Sequence, residues 1–270
     1  MISVVCVYND KEILEAYLLK GLKAQTANYE IILVDNTEKH FRSAAQALNY
    51  GGRRARGNYI MFVHQDVIMK SNSSLHLIET ALEQLPSLGV AGAAGCKEGL
   101  VGTLSNMSHG TPPTPAGTAG AVAMPTRVQT LDECLIIVPR NTFDRLQFDE
   151  GACDGWHLYA VDYSLDVKML GLDVYVVPVV AYHKLGAIER GGNRLQRDYY
   201  EILKKVLKKH RDRYRLVFTT CGVWDTRIPV LLQRSNKWAR SKVWAVILLL
   251  RAVKRQAQLT SGLCPEHQSA

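Results

Sequence analysis

This chain of 270 residues has no CxxC pair, no P-loop and no apolar run long enough to cross a bilayer. Its six cysteines stand far apart, at 6, 96, 134, 153, 221 and 264. That spacing argues against a zinc ribbon or a disulfide framework and favours a reducing compartment. The stretch GGRRARG at 51–57 lacks the GK[ST] ending that cradles phosphate, and no glycine-rich fingerprint follows the first apolar run. P-loop chemistry and NAD binding are therefore disfavoured. VWAVILLL at 243–250 spans eight residues, whereas a membrane-crossing helix needs roughly 20. Acidic residues are missing altogether from 226 to 265, a stretch that carries eight Lys and Arg, as many as the net charge of +8. The excess charge is thus local, and it surrounds an apolar run flanked by Trp238 and Trp244. Such a segment suits a helix lying on an anionic membrane surface, expected over residues 236–256, and a helix docked on the protein would be equally apolar.

What is present is a series of apolar runs alternating with helical stripes. ISVVCVY at 2–8 is β-branched and stops at Asn9 and Asp10. Lacking a basic start and a small-residue cleavage site, it is expected to be a first strand rather than a leader. Leu14, Leu18 and Leu22 then recur at helical spacing. EIILV at 30–34 ends at Asp35 and Asn36, and residues 41–50 can form a helix with an alanine-rich face. A third run, 59–63, ends in His64, Gln65 and Asp66. A strand interior would leave Asp66 unpaired at high cost, so the run is expected to end at the rim of a cleft. Three strands that stop at acidic or amide residues predict an α/β fold with a mostly parallel central sheet flanked by helices, whose carboxyl edge carries the ligand site.

Farther on, Leu75, Ile78, Leu82 and Leu85 make a helical stripe, a fourth strand is expected over 89–94, and residues 96–126 form a long Gly, Pro and Thr-rich loop. A further strand is expected at 135–139, a helix carrying Asp162 and Asp166 on one line and capped by Gly171, and a last strand over 174–180 that delivers His183 just past its end. The plan divides at about residue 190, into a catalytic unit at 1–190 and a basic helical extension at 191–270. Asp35, Asp66, Asp162 and His183, each at the end of an element, suggest a nucleotide and a divalent cation, since Mg²⁺ and Mn²⁺ prefer carboxylates and phosphates and Mn²⁺ accepts imidazole.

The order of short motifs CVYND at 6–10, VDN at 34–36, ALNYG at 47–51, ARG at 55–57, HQD at 64–66, LDE at 131–133, FDE at 148–150, HLYAVD at 157–162 and YH at 182–183 resembles the GT-A fold glycosyltransferases. It is closest to the inverting family 2 enzymes of bacterial polysaccharide synthesis. The resemblance implies a nucleobase pocket at Tyr8, Asn9 and Asp35, joined by Arg56 and Gln65 in the nucleotide-binding set. It implies that Asp66 ends a DxD motif holding Mn²⁺ or Mg²⁺ against the donor's diphosphate, with His183 reaching the same metal. The donor implied is a UDP-sugar and the acceptor a glycan or lipid-linked glycan, at the cytoplasmic face of the cell membrane. Two departures stand out. His64 replaces the first Asp of DxD, and Ala160 stands where the family keeps its catalytic base, eleven residues before Gly171. Asp162, His157 and Asp154 are the nearest substitutes, with Asp162 first. Two other functions compete: a catalytically inactive sugar-nucleotide-binding or scaffold subunit of the same fold, and a nucleic-acid-binding protein. The second is disfavoured because the cations flank an apolar run and are not interleaved with stacking aromatics.

Overall fold

A computed structural model describes residues 1–184 and 192–234. The strand Ile2–Tyr8 is buried along its first five residues, as expected for a continuous apolar run covered on both faces. It pairs in parallel with Tyr29–Asp35 on one side and Tyr59–Val63 on the other, with Tyr8 level with Asp35. These three expected strands share one sheet. Seven strands make that sheet, in the order Thr126–Arg127, Asp173–Val176, Leu88–Gly92, Leu135–Pro139, Tyr59–Val63, Ile2–Tyr8, Tyr29–Asp35. Leu135–Pro139 runs antiparallel to both of its neighbours, so the sheet is mixed.

Side chains alternate between the sheet's two faces, as a period of two requires. Val5, Ile60 and Phe62 enter one core, and Val4, Met61 and Val63 enter the other. Leu14, Leu18 and Leu22, together with Leu75, Ile78 and Leu82 of the Ser74–Glu83 helix, cover the second face. The first face is covered by the helices Ala44–Gly52, Tyr159–Met169 and Gly192–His210. Ser43 starts the first of these by accepting from Gln46 N at 3.2 Å. That helix lies so close to the sheet that a Cβ on Gly51 would stand 2.5 Å from Val5 Cγ1. Gly171, at φ +77, ends the second as expected: its N–H donates to the Lys168 carbonyl and that of Leu172 to Val167, the pairing that closes a helix on a left-handed residue.

The expected strand over 174–180 is divided. Its first part, Asp173–Val176, stays in the main sheet, while Ala181–His183 joins a separate sheet between Val67–Met69 and Ser108–His109. Pro178 lies between them and has no N–H to continue a ladder. The 96–126 stretch is irregular but pinned by two-residue strands such as Leu104–Ser105 and Thr114–Pro115. Among the described residues no helix is long and apolar enough to cross a membrane, and the expected surface helix at 236–256 lies outside them.

Candidate active site

Asp35, His64 and Asp66 stand where the strands Tyr29–Asp35 and Tyr59–Val63, on either side of Ile2–Tyr8, release the chain. After Tyr59–Val63, the His64 N–H donates to the Cys134 carbonyl and the chain turns back, Val67 N–H meeting the His64 carbonyl. The next strand, Val67–Met69, pairs antiparallel with Ala181–His183, with Val67 opposite His183 and Lys184 N–H donating to the Asp66 carbonyl. This pairing brings together two residues 117 positions apart. Nε2 of His183 is sealed from solvent and lies 3.2 Å from Asp66 Oδ1 without an aligned hydrogen bond.

His64 completes the group. One ligand atom from each of His64, Asp66 and His183 lies within 4.8 Å of the other two, and the two imidazole rings are 5.5 Å apart. Burial, helped by the neighbouring His183, pulls the His64 pKa down to about 4, so this ring is neutral at neutral pH. Its Nε2 meets the Tyr159 hydroxyl at 3.0 Å. Burial alone would raise the pKa of Asp66 and lower that of His183. Their contact and opposite charges outweigh it, holding the carboxyl below its usual range and the imidazole above. Two imidazoles and a carboxylate, one nitrogen of them sealed and unbonded, fit a divalent cation, and this donor set suits Mn²⁺ better than Mg²⁺. Sequence reading missed His64 as a ligand because it appeared only as a lost carboxylate. The signal available was its residue type, two positions before Asp66 at a strand end.

The pocket edge beside this trio is rigidly built. Gln65 Oε1 accepts from the N–H groups of Asn9 and Asp10, and its Nε2 donates to Asn9 Oδ1 at 2.8 Å. Gln65 thus ties the first loop to the HQD turn. Asp35 is exposed and accepts from the Thr37 N–H and hydroxyl and from Tyr8 Oη at 2.8 Å. Those bonds, Thr37's first, bring its pKa to about 2. The structure does not bring Arg56 here. It precedes the Tyr59–Val63 strand at the sheet's opposite edge, is 82% exposed, and pairs with Glu30 at 2.7 Å near the start of the second strand.

The three candidate bases are scattered. Asp162 is 1% exposed, and each oxygen is taken: Oδ1 by His210 Nε2 at 2.8 Å and Oδ2 by Lys209 Nζ at 2.8 Å. With Asp149 and Asp166 also on Lys209, this is a brace between the Tyr159–Met169 and Gly192–His210 helices. Asp154 lies on the preceding loop, half-exposed and paired with Lys205. His157 is 7% exposed, packs edge-on to Tyr199, and leaves its Nε2 without a partner. Ala160 is buried. Glu133, from the LDE motif, lies beside the start of the Tyr159–Met169 helix, its carbonyl accepting from the Tyr159 hydroxyl at 3.1 Å. Its Oε1 is sealed and unbonded. Burial, with Asp132 beside it, pushes its pKa well above the usual carboxylate range against the opposing pull of the Leu158 and Tyr159 backbone.

Residues 2–210 match the model of a family described as glycosyltransferase-like. The chain belongs to this family. No curated protein matches the sequence. Among solved structures it resembles GalNAc-T7 with UDP, GalNAc and Mn²⁺, at TM-score 0.58 and 13% identity over 79% of this chain, which spans only 48% of that one. It also resembles the mannosyltransferase PcManGT of Pyrobaculum calidifontis in complex with GDP-Man and Mn²⁺, at TM-score 0.53 and 16% identity over 97% of this chain and 79% of that one. S. aureus TarS 1-349 in complex with UDP-GlcNAc aligns at TM-score 0.52 and 15% identity, over 76% of this chain and 65% of that one. The glycosyltransferase-like member thus has the GT-A fold of family 2 relatives, with the candidate cation-binding trio His64, Asp66 and His183 at the carboxyl edge of the sheet.

Proposed function

We propose that the protein is a metal-dependent inverting glycosyltransferase that moves a sugar from a UDP-linked donor to a hydroxyl of a glycan or lipid-linked glycan. The observation that carries this reading is the convergence of His64, Asp66 and His183 on the sheet edge that also presents Asp35. Asp35 lies two strands along that edge, about 10 Å away by inter-strand spacing, a separation that suits a nucleobase at one end and a diphosphate at the other. Asp35, with Tyr8 and Asn9, would hold the nucleobase, a free carboxylate lone pair accepting an imide N–H. His64, Asp66 and His183 would hold Mn²⁺ or Mg²⁺, which when bound supplies positive charge to the departing diphosphate. Gln65 keeps the nucleobase loop in register with that site. Asp162 serves here as the brace of two helices, since neither oxygen is free for a hydroxyl.

Calorimetric titration of UDP with and without Mn²⁺ tests this reading. Wild-type protein should bind UDP in a metal-dependent way and Asp66→Ala should not. Equal metal-dependent affinity in both would refute the assignment. The basic segment at 236–256 supports placing the acceptor at an anionic membrane surface. Deleting residues 236–270 should release the protein from phosphatidylserine vesicles and leave UDP binding unchanged, and undiminished sedimentation would count against that address.

One observation favours a second reading, a sugar-nucleotide-binding subunit without transfer. Ala160 is buried and apolar where the family resemblance places the base. UDP release from several UDP-sugars with Mn²⁺ separates the two, because a binding subunit releases none.

A further inference from the structure

The buried side-chain atoms without a hydrogen bond include Glu133 Oε1, His157 Nε2 and Tyr199 Oη. Unpaired atoms of this kind are few in folded proteins and each calls for a reason. Two of them flank one helix start. Leu158 sits in the left-handed region at φ 64 immediately before the Tyr159–Met169 helix, and Glu133 lies beside this helix start, where the Leu158 and Tyr159 backbone favours its charged form. His157, more than nine-tenths buried, is the next residue back along the chain. Tyr159 then joins this corner to the metal trio: its hydroxyl donates to the Glu133 carbonyl at 3.1 Å and meets His64 Nε2 at 3.0 Å. Glu133 Oε1 is left without a partner in this corner.

We infer that Glu133 is the base that receives the proton of the attacking hydroxyl. The inference rests on the transferase reading above and supplies the group that Ala160 cannot. As the acceptor oxygen bonds to the anomeric carbon, the bond from that carbon to the phosphate oxygen breaks and its electron pair leaves on the diphosphate. The acceptor's proton passes to Glu133 Oε1, so atoms and charge balance. A carboxylate held in a sealed corner is a stronger base than one in water, and proton transfer is most efficient when the base's pKa lies near the working pH. Asp162 offers no such oxygen, because Lys209 and His210 occupy both of its own, and Asp154 is half-exposed with Lys205 on its Oδ2.

Glu133→Gln tests this, because the amide keeps the shape of the carboxylate and loses its basic oxygen. UDP-glucose, UDP-galactose and UDP-N-acetylglucosamine serve as donors with Mn²⁺, water as the proton-bearing nucleophile, and azide as one that has no proton to give up. The variant should bind UDP with wild-type, Mn²⁺-dependent affinity and release it to water about 10²- to 10⁴-fold more slowly. Azide should restore release and yield the glycosyl azide. Release to water at the wild-type rate, or an equal loss with water and azide, would overturn the assignment, the latter marking a purely structural role. Glu133→Asp, which keeps a carboxylate one carbon shorter, should show the same azide rescue from a smaller deficit, so a poorly folded glutamine variant does not decide the matter. Absence of Mn²⁺-dependent UDP binding in wild type and variant alike would overturn the transferase reading and Glu133's role with it.

Discussion

The Tyr159 hydroxyl spends its one hydrogen on the Glu133 carbonyl, so the His64 Nε2 beside it, 3.0 Å away, must be the donor in their contact. The imidazole is thereby fixed in one tautomer, with the lone pair on Nδ1. Partners that orient a ligating histidine typically change metal affinity 10- to 100-fold when removed. Tyr159→Phe should therefore weaken Mn²⁺ binding by about tenfold or more without altering the fold, as read by metal titration and circular dichroism. Unchanged affinity would mean that His64 stands outside the site.

Metal binding should release a proton near neutrality. His64 is already neutral, its pKa lying at about 4, whereas Asp66 holds the His183 pKa above its ordinary value despite burial. A protonated His183 cannot ligate, so affinity rises with pH until that raised pKa is passed and then levels off. Mn²⁺ titrations below the plateau should show about a tenfold gain per pH unit, the signature of one displaced proton. The slope should flatten in His183→Gln, and a wild-type slope retained there would assign the proton elsewhere.

His64→Asp would give the trio a second carboxylate in place of an imidazole. Oxygen ligands favour Mg²⁺ and imidazole favours Mn²⁺. The ratio of Mg²⁺-supported to Mn²⁺-supported UDP affinity should rise in this variant, and a ratio equal to wild type would exclude His64 from the cation's contacts.

Loss of a single carboxylate should have very different costs at 162 and at 154. Asp162 is sealed against Lys209 and His210, and removing one partner from a buried ion pair costs about 3–5 kcal/mol. Asp154 is half-exposed in its pair with Lys205, where such pairs contribute about 0–1 kcal/mol. Urea unfolding should show Asp162→Ala destabilised by several-fold more than Asp154→Ala. Comparable midpoints would mean that the brace is not a stability element.

How much of this was legible in the sequence depended on distance along the chain. The strands at 2–8 and 59–63 and the glycine cap at 171 carry local signals, namely β-branched runs and a left-handed stop, and each formed where periodicity placed it. The meeting of Asp66 with His183 follows from a sheet whose strands lie far apart in sequence; their places at element ends grouped them with Asp35 and Asp162, and the family resemblance put the two on one metal. Pro178 was visible, yet its breaking of the last strand was not drawn. Arg56 entered the nucleotide-binding set through its motif, although it precedes the strand whose far end forms the site. The fate of Asp162 was hidden because its partners, Lys209 and His210, come from a helix that reads merely as basic.

That helix also bears on where the gene can be cut. Ile202, Leu203, Val206 and Leu207 lie in the same core as Val161 and Leu165, Lys209 carries the counter-charge of the Asp162 carboxylate, and His210 Nε2 lies 2.8 Å from its other oxygen. A fragment ending at 190 would expose that apolar floor and strand Asp162 in it without a counter-charge. Val217, Trp224 and Val230 belong to that core as well, and Gln129 bonds to Leu216 and Phe218, so the smallest piece to express for crystallisation or for screening acceptors runs through the Val230–Arg234 helix, and the place to begin shortening the chain is its far end.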